Sequence, residues 1–336
     1  MNSSSQYYLR FGLCVILVLF GIYAGLRLLF PPLPLVGVIQ WTRDLKFFED
    51  APQRVMEGLR EEGFQDGLNI RLEVRNAREE RDKAAALARE FVKKGARLLI
   101  TVGTVPTLIA LEVTRDTRIP IIYTMVASPN ATGLARPAPP EAIRFTGASI
   151  EVPAVEQLRY LLLALPKLKR LGILFCTATP VAVACGKAAE EACPGLGLTP
   201  VLRTVTDARP ELLQETLHDL LEEKIEALFL PADPVLRTPG ILRIISEATF
   251  GAHIPVMTSG NDSVAYGLLM SYHADFAEMG RQSGRQAARF LKGTPMEQIL
   301  PESPLTKTLT INLKAAQELG LQLPRNLVSQ ARLFYQ

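Results

Sequence analysis

The chain has 336 residues, 48% of them hydrophobic and 21% charged, with 24 prolines and 23 glycines. That balance fits a globular protein of about two domains and excludes collagen-like or wholly disordered chains. Against 34 acidic residues stand 37 lysines and arginines, a net charge of +3, which excludes the clustered basic face that nucleic acid requires. Three histidines and four cysteines show no CxxC, HxxxH or HExxH spacing, so neither a metal nor a cofactor is expected. Cys185 and Cys193 stand eight residues apart on one expected helix, roughly 12 Å at 1.5 Å per residue, beyond the reach of a disulfide. Cys176 is the only plausible partner for either.

From Phe11 to Leu26 the chain runs sixteen residues without a charge, and the stretch 9–30 reaches the length needed to span a bilayer. Leu28, Leu29, Phe30 and Pro31 follow it in place of a small-residue cleavage site. An uncleaved transmembrane signal anchor is therefore expected, with a cleaved signal peptide as the alternative. Arg10 and Arg27 flank the stretch on both sides, so charge does not set its orientation. Pro31, Pro32 and Pro34 form a stiff spacer behind it.

Beyond Pro34 short apolar runs alternate with helical patterns, which predicts βαβ units and a parallel sheet. Strands are expected at 35–40, 70–74, 98–103, 119–126 and 145–150. The intervening helices include one capped by Asp50 with Pro52 in its first turn and Gly63 as its stop, and one from Glu80 to Lys94. The scheme then repeats, with strands at 171–176, 200–205, 227–233 and 254–259. The step from Val36 to Leu171 equals the step from the Ile119–Pro120 pair to its recurrence at Ile254–Pro255. Two lobes matched at one constant offset predict a duplicated doubly wound α/β fold.

Neither VIQWTRD after the first strand nor FCTATPV after its repeat carries the G-x-G-x-x-G turn of dinucleotide binding, and no P-loop or G-x-S-x-G elbow is present. No enzyme activity is expected. What remains is a two-lobed binder whose ligand sits between the carboxyl ends of its strands.

The segments MEGLREEGFQDGLNI (56–70), ITVGTVPTLIALE (100–112), IPIIYTMVASPNATGL (119–134), FTGASI (145–150), the block 254–293 and LTINLKAAQELGL (309–321) resemble the ABC transporter substrate-binding proteins that include tryptophan- and tyrosine-binding members. The resemblance covers nearly all of the chain after residue 34. It implies a type I periplasmic binding protein fold, two doubly wound parallel-sheet lobes joined by a hinge. Lobe one would comprise 35–149 plus 271–294 and lobe two 150–270 plus 295–318, with crossings near Ser149, Met270 and Gly293 and a tail at 319–336. It also implies a monomer on the extracytoplasmic face of the cytoplasmic membrane, which captures a small molecule, an amino acid being one candidate, by hinge closure and delivers it to an ABC permease and ATPase. A ligand-sensing partner of a sensor kinase or chemoreceptor is the alternative.

Candidate ligand contacts sit at strand ends. Gln40 and Trp41 follow the first strand, and the indole could stack on a ligand ring or cover a helix start. Gly103, Thr104 and Thr107 lie where a strand enters a helix and could hold a carboxylate, or Thr104 could cap that helix. Ser128 and Asn130 follow the fourth strand where the family carries Thr-Asp-Pro. Thr177 and Thr179 occupy the matching loop of lobe two, with capping as the other role. Asp233 could pair with a ligand ammonium or cap the next turn. Asn261 and Asp262 lie in an acid-bearing turn, and Tyr272 and His273 at the crossing back to lobe one, His273 being more readily a structural residue.

Overall fold

The computed structural model describes residues 32–43, 46–134, 144–331 and 333–335, with only the backbone described at 46, 47, 261, 262 and 333–335. The expected membrane span at 9–30 lies outside the described residues. Among the described residues no helix is long and apolar enough to cross a membrane.

Lobe one is a parallel sheet in the order β2-β1-β3-β4-β5, from β1 (Leu35–Gln40), β2 (Arg71–Asn76), β3 (Leu98–Val102), β4 (Ile121–Val126) and β5 (Phe145–Ser149). Its helices are α1 (Lys46–Glu61), α2 (Arg81–Lys93) and α3 (Thr104–Val113). All the residues of β1, β3 and β4 are buried, as unbroken apolar runs covered on both faces require. Gly37 in β1 gives room to the Phe91 ring of α2, which lies 2.6 Å from where a β-carbon would stand.

In lobe two the order β7-β6-β8-β9-β10 repeats that of lobe one, and β11 and β12 extend the sheet beyond β10. These strands are β6 (Arg170–Cys176), β7 (Thr199–Val205), β8 (Ala227–Leu230), β9 (Val256–Thr258), β10 (Met270–Ala274), β11 (Lys307–Asn312) and β12 (Leu333–Tyr335). Its helices are α4 (Ala154–Ala164), α5 (Pro180–Ala192), α6 (Pro210–Glu222), α7 (Pro239–Gly251) and the single turn α8 (Asn261–Val264); after β10 the chain forms α9 (Phe276–Leu291), which packs on α1 of lobe one, and then returns to lobe two for α10 (Leu313–Glu318) and α11 (Arg325–Val328). The constant offset in sequence thus corresponds to one strand order used twice, with Val36 beside Leu98 and Leu171 beside Ala227 at matching positions.

Three local outcomes differ from the sequence-based expectations. The segment 271–274 lies in β10, paired antiparallel to β11 and parallel to β9, so the return to lobe one is made at Asp275, which caps α9 by accepting from the Glu278 N–H at 3.1 Å. The chain beyond 319 carries β12, which pairs with Thr310–Asn312 of β11. Helix α1 begins at Lys46 rather than after Asp50, which leaves Pro52 in its interior. A proline there frees the carbonyl four residues earlier; the side-chain amide of Gln40 donates to that Phe48 carbonyl and, at 3.3 Å, to the Glu49 carbonyl.

Candidate ligand-binding cleft

An inner pocket lies between the lobes, walled by the segments that follow the strands of both sheets. Ala127 and Ser128 follow β4, and Ile150, Glu151 and Val152 follow β5. From lobe two come Cys185 and Ala188 of α5, Pro231 and Ala232 after β8, Arg237 ahead of α7, and Ser259 after β9. Tyr272 and Ala274 of β10 and Phe276 of α9 complete the wall. The pocket leaves ≈ 50 Å³ to the centre of a water-sized sphere, room for a few waters. A wider cavity of ≈ 560 Å³ adjoins it, shares Glu151, Ala154 and Ala188, and adds Tyr123, Asn130, Glu191 and Glu302.

The lobes meet at Ser128, whose Oγ lies 3.1 Å from the Cys185 Sγ. Ser128 is buried and holds a positive φ of 43°, while its carbonyl accepts from the Thr132 N–H at 3.1 Å and closes the loop after β4. Burial pushes the Cys185 thiol up, the Ser128 hydrogen bond works against that, and the charges of Glu151 and Asp233 add to it. Cys176, Cys185 and Cys193 are all free thiols.

The lining is mainly apolar, with one acid and one guanidinium. Glu151 is half-buried in the crossing from β5 to α4, and burial alone raises its pKa above the ordinary 4.5. Arg237 lies across Gly260, where a β-carbon would stand 2.4 Å from its guanidinium. Gln157 joins Ser259 to the lobe crossing: its Oε1 accepts from the Ser259 hydroxyl at 2.9 Å and its Nε2 donates to the Val152 carbonyl at 2.8 Å. Tyr272 stacks on Tyr160 with centroids 4.1 Å apart, and burial comes first among the influences that push its hydroxyl up to about 12. Among the described residues no group of three or more His, Cys, Asp or Glu side chains could hold a metal ion.

Of the residues singled out from the sequence, Ser128 and Tyr272 line the inner pocket and Asn130 the wider cavity. The remainder with described side chains do not line either. Gln40 is buried and engaged by Phe48, Glu49, Arg43 and Asn76. Trp41 packs on Ala77, Ala84 and Ile109. The Gly103 N–H donates to the Thr124 carbonyl at 2.9 Å, the Thr104 hydroxyl accepts from the Ala127 N–H at 3.1 Å, and the Thr107 hydroxyl donates to the Gly103 carbonyl at 2.6 Å. Thr177 is exposed beside Val205, and Thr179 caps α5 by accepting from the Ala182 N–H at 3.2 Å.

Asp233 is buried, its Oδ2 accepting from the Cys176 N–H at 2.6 Å and its Oδ1 from Val235 and Leu236 at 2.8 and 3.1 Å. It fastens the end of β8 to that of β6. His273 is buried, with Nδ1 2.8 Å from the Ala274 carbonyl and its ring on Phe276. Asn261 and Asp262 form the backbone of α8, and their side chains lie outside the described residues. The pocket therefore lies beside the crossing 150–153, at the ends of β4 and β5 in lobe one and of β8 and β9 in lobe two, and none of its lining follows β1 or β3. Glu151, Gln157, Cys185 and Arg237 escaped the sequence reading. Only Glu151 left a signal there, an acid between a strand end and the proline that opens α4.

Two lobes of repeated strand order with a lined cleft between them define the class: noncatalytic ligand binders of the type I periplasmic binding protein fold. The chain belongs to the ABC transporter substrate binding protein family, whose model matches residues 48–333. It is 23% identical over 275 residues to a tyrosine-binding protein of Clostridioides difficile strain R20291, covering 82% of this chain and 77% of that protein. Among solved structures it is similar to a ligand-free, open substrate binding protein with adhesive properties from Clostridium difficile, with a TM-score of 0.78 and 22% identity over 90% of this chain and 99% of that one. The Streptococcus pneumonia ABC domain in complex with L-Trp follows at a TM-score of 0.73 and 21% identity, with the same coverage. These likenesses establish the shared fold.

Proposed function

We propose that the protein is the extracytoplasmic solute-binding component of an ABC importer. It captures an amino acid in the cleft, across the inner pocket and the wider cavity that adjoins it, by closure of the lobes and presents it to a permease and its ATPase. The observation that carries this reading is the pocket itself, walled by post-strand segments of both lobes and spanned by the Ser128–Cys185 contact. Ligand that touches both walls favours the closed arrangement by its differential contacts there. Relatives named for tyrosine and tryptophan support the amino-acid class. The charge-free stretch from Phe11 to Leu26 supports an N-terminal membrane anchor, which would keep the binding lobes beside the permease.

The test is titration calorimetry of the full chain in mild detergent with L-tyrosine, L-tryptophan and L-leucine, and with sugars and purines as controls. At least one amino acid is expected to bind with a Kd of about 10 μM or tighter, near −7 kcal/mol. Binding of a sugar or purine with silence from every amino acid would overturn the ligand class.

A further inference from the structure

We propose that Glu151 determines what the cleft accepts, by taking the cationic nitrogen of the ligand; this rests on the capture reading above. Glu151 is the acid of the inner pocket and also belongs to the wider cavity, so it stands where the two spaces join. Its carboxylate has no hydrogen-bond or ion-pair partner among the described residues, and burial is the sole influence on it. Arg237, of lobe two, lines the same inner pocket.

The other acids tell against a merely structural role. Asp233 answers three backbone N–H groups. In the wider cavity Glu302 receives the Gln282 amide at 2.9 Å and an ion pair from Arg289, while Glu191 is exposed and keeps its hydration. A half-buried carboxylate without a partner loses part of its hydration and gains nothing in return. A ligand ammonium supplies the missing partner as a charge-assisted hydrogen bond.

Position adds a second consequence. The crossing 150–153 joins β5 of lobe one to α4 of lobe two, and the Ile150 N–H donates to the Val126 carbonyl at 2.9 Å. A cation held at Glu151 and a ligand body held by the Arg237 wall of lobe two would oppose reopening of the cleft.

The experiment compares the full chain with its Glu151→Gln variant by calorimetry. Its probes are L-tyrosine, L-tryptophan and L-leucine, their des-amino counterparts 3-(4-hydroxyphenyl)propionate, indole-3-propionate and 4-methylpentanoate, and the amines putrescine and ethanolamine. A hydrogen bond to a charged group corresponds to roughly 10- to 100-fold in affinity. The wild-type protein is expected to prefer the amino form over its des-amino counterpart by at least that factor. Glu151→Gln should lose the preference while binding the des-amino form unchanged. Equal binding of both forms by the wild-type protein, an insensitive variant, or an equal loss of both forms would overturn the role of Glu151. That leaves the amino-acid reading standing wherever an amino acid binds. Glu151-dependent binding of putrescine or ethanolamine alone would sink the amino-acid reading and keep Glu151, and silence from every probe would overturn both.

Discussion

Asp233 and Glu151 show how two acids withdrawn from solvent come to opposite uses. Burial raises the pKa of both, but at Asp233 the N–H groups of Cys176, Leu236 and Val235 work against the rise. Replacing Asp233 with alanine leaves those donors without their acceptor in a buried turn, which costs on the order of 2–3 kcal/mol. Urea unfolding of Asp233→Ala should show that loss, while ligand affinity measured under folded conditions stays within about twofold of wild type. A tenfold loss of affinity with unchanged stability would instead make Asp233 a ligand contact. From sequence the two acids look alike, each just past the end of a buried strand. What separates them is the β6 backbone, which reaches Asp233 from 57 residues away.

Helix α9 carries the chain back from lobe two and fastens it to lobe one. Its Ser283 hydroxyl donates to the Tyr123 carbonyl at 3.1 Å, and the Thr124 hydroxyl donates to the Met279 carbonyl at 3.3 Å. Helices α9 and α1 cross almost backbone to backbone: a β-carbon at Gly284 would stand 2.2 Å from the Val55 carbonyl oxygen, and one at Gly58 2.2 Å from that of Arg281. Backbone atoms, with no flexible side chain to yield, face both glycines, so Gly284→Ala should destabilise lobe one by about 1–3 kcal/mol. The urea midpoint measures this, and an unchanged midpoint would show that the crossing relaxes.

Charges line the same crossing. Glu57 is held below the ordinary 4.5 mainly by its hydrogen bond from Arg54, with Arg281 adding to it. At Glu278 burial works the other way, but the hydrogen bonds from Arg285 and Arg281 outweigh it and lower the pKa. A carboxylate with a depressed folded pKa contributes stability that is present above its unfolded value and is lost as pH falls through the folded one. The urea midpoint should therefore be lower at pH 3.5 than at pH 7, and equal midpoints would show that these pairs contribute nothing. At this scale the apolar and small residues of α9 share one face of the helix, which is the face it buries. The partner of that face was not legible, because α1 belongs to the opposite end of the chain and meets α9 only in the folded lobe.

At the scale of the whole molecule, the Ser128–Cys185 contact joins the two lobes and would report the closure proposed above. The Oγ and Sγ stand 3.1 Å apart, so two sulfurs at these positions would need only a small adjustment to reach bonding distance. Oxidised Ser128→Cys should form a bond to Cys185, detected by thiol counting and mass spectrometry, and should slow ligand exchange by at least roughly a hundredfold until it is reduced. Exchange that stays fast in the oxidised variant would show that ligand enters without separation of these two residues.

The sequence alone determined the class of fold: two doubly wound lobes follow from the alternation of buried strands with amphipathic helices and from the recurrence of the strand pattern at one offset. It also determined the absence of phosphate-cradling turns, because such motifs are local in the chain. The tertiary structure alone decided where each lobe ends and which polar groups face the cleft. Gln40 turns to a helix carbonyl freed by Pro52, Asp233 to the end of a neighbouring strand, and Thr107 to its own helix, whereas Glu151 lines the pocket. The physical reason is that strand and helix propensities act over a few residues. Whether a polar group is left free for a ligand depends on every donor and acceptor the fold brings beside it, many of them distant in the chain.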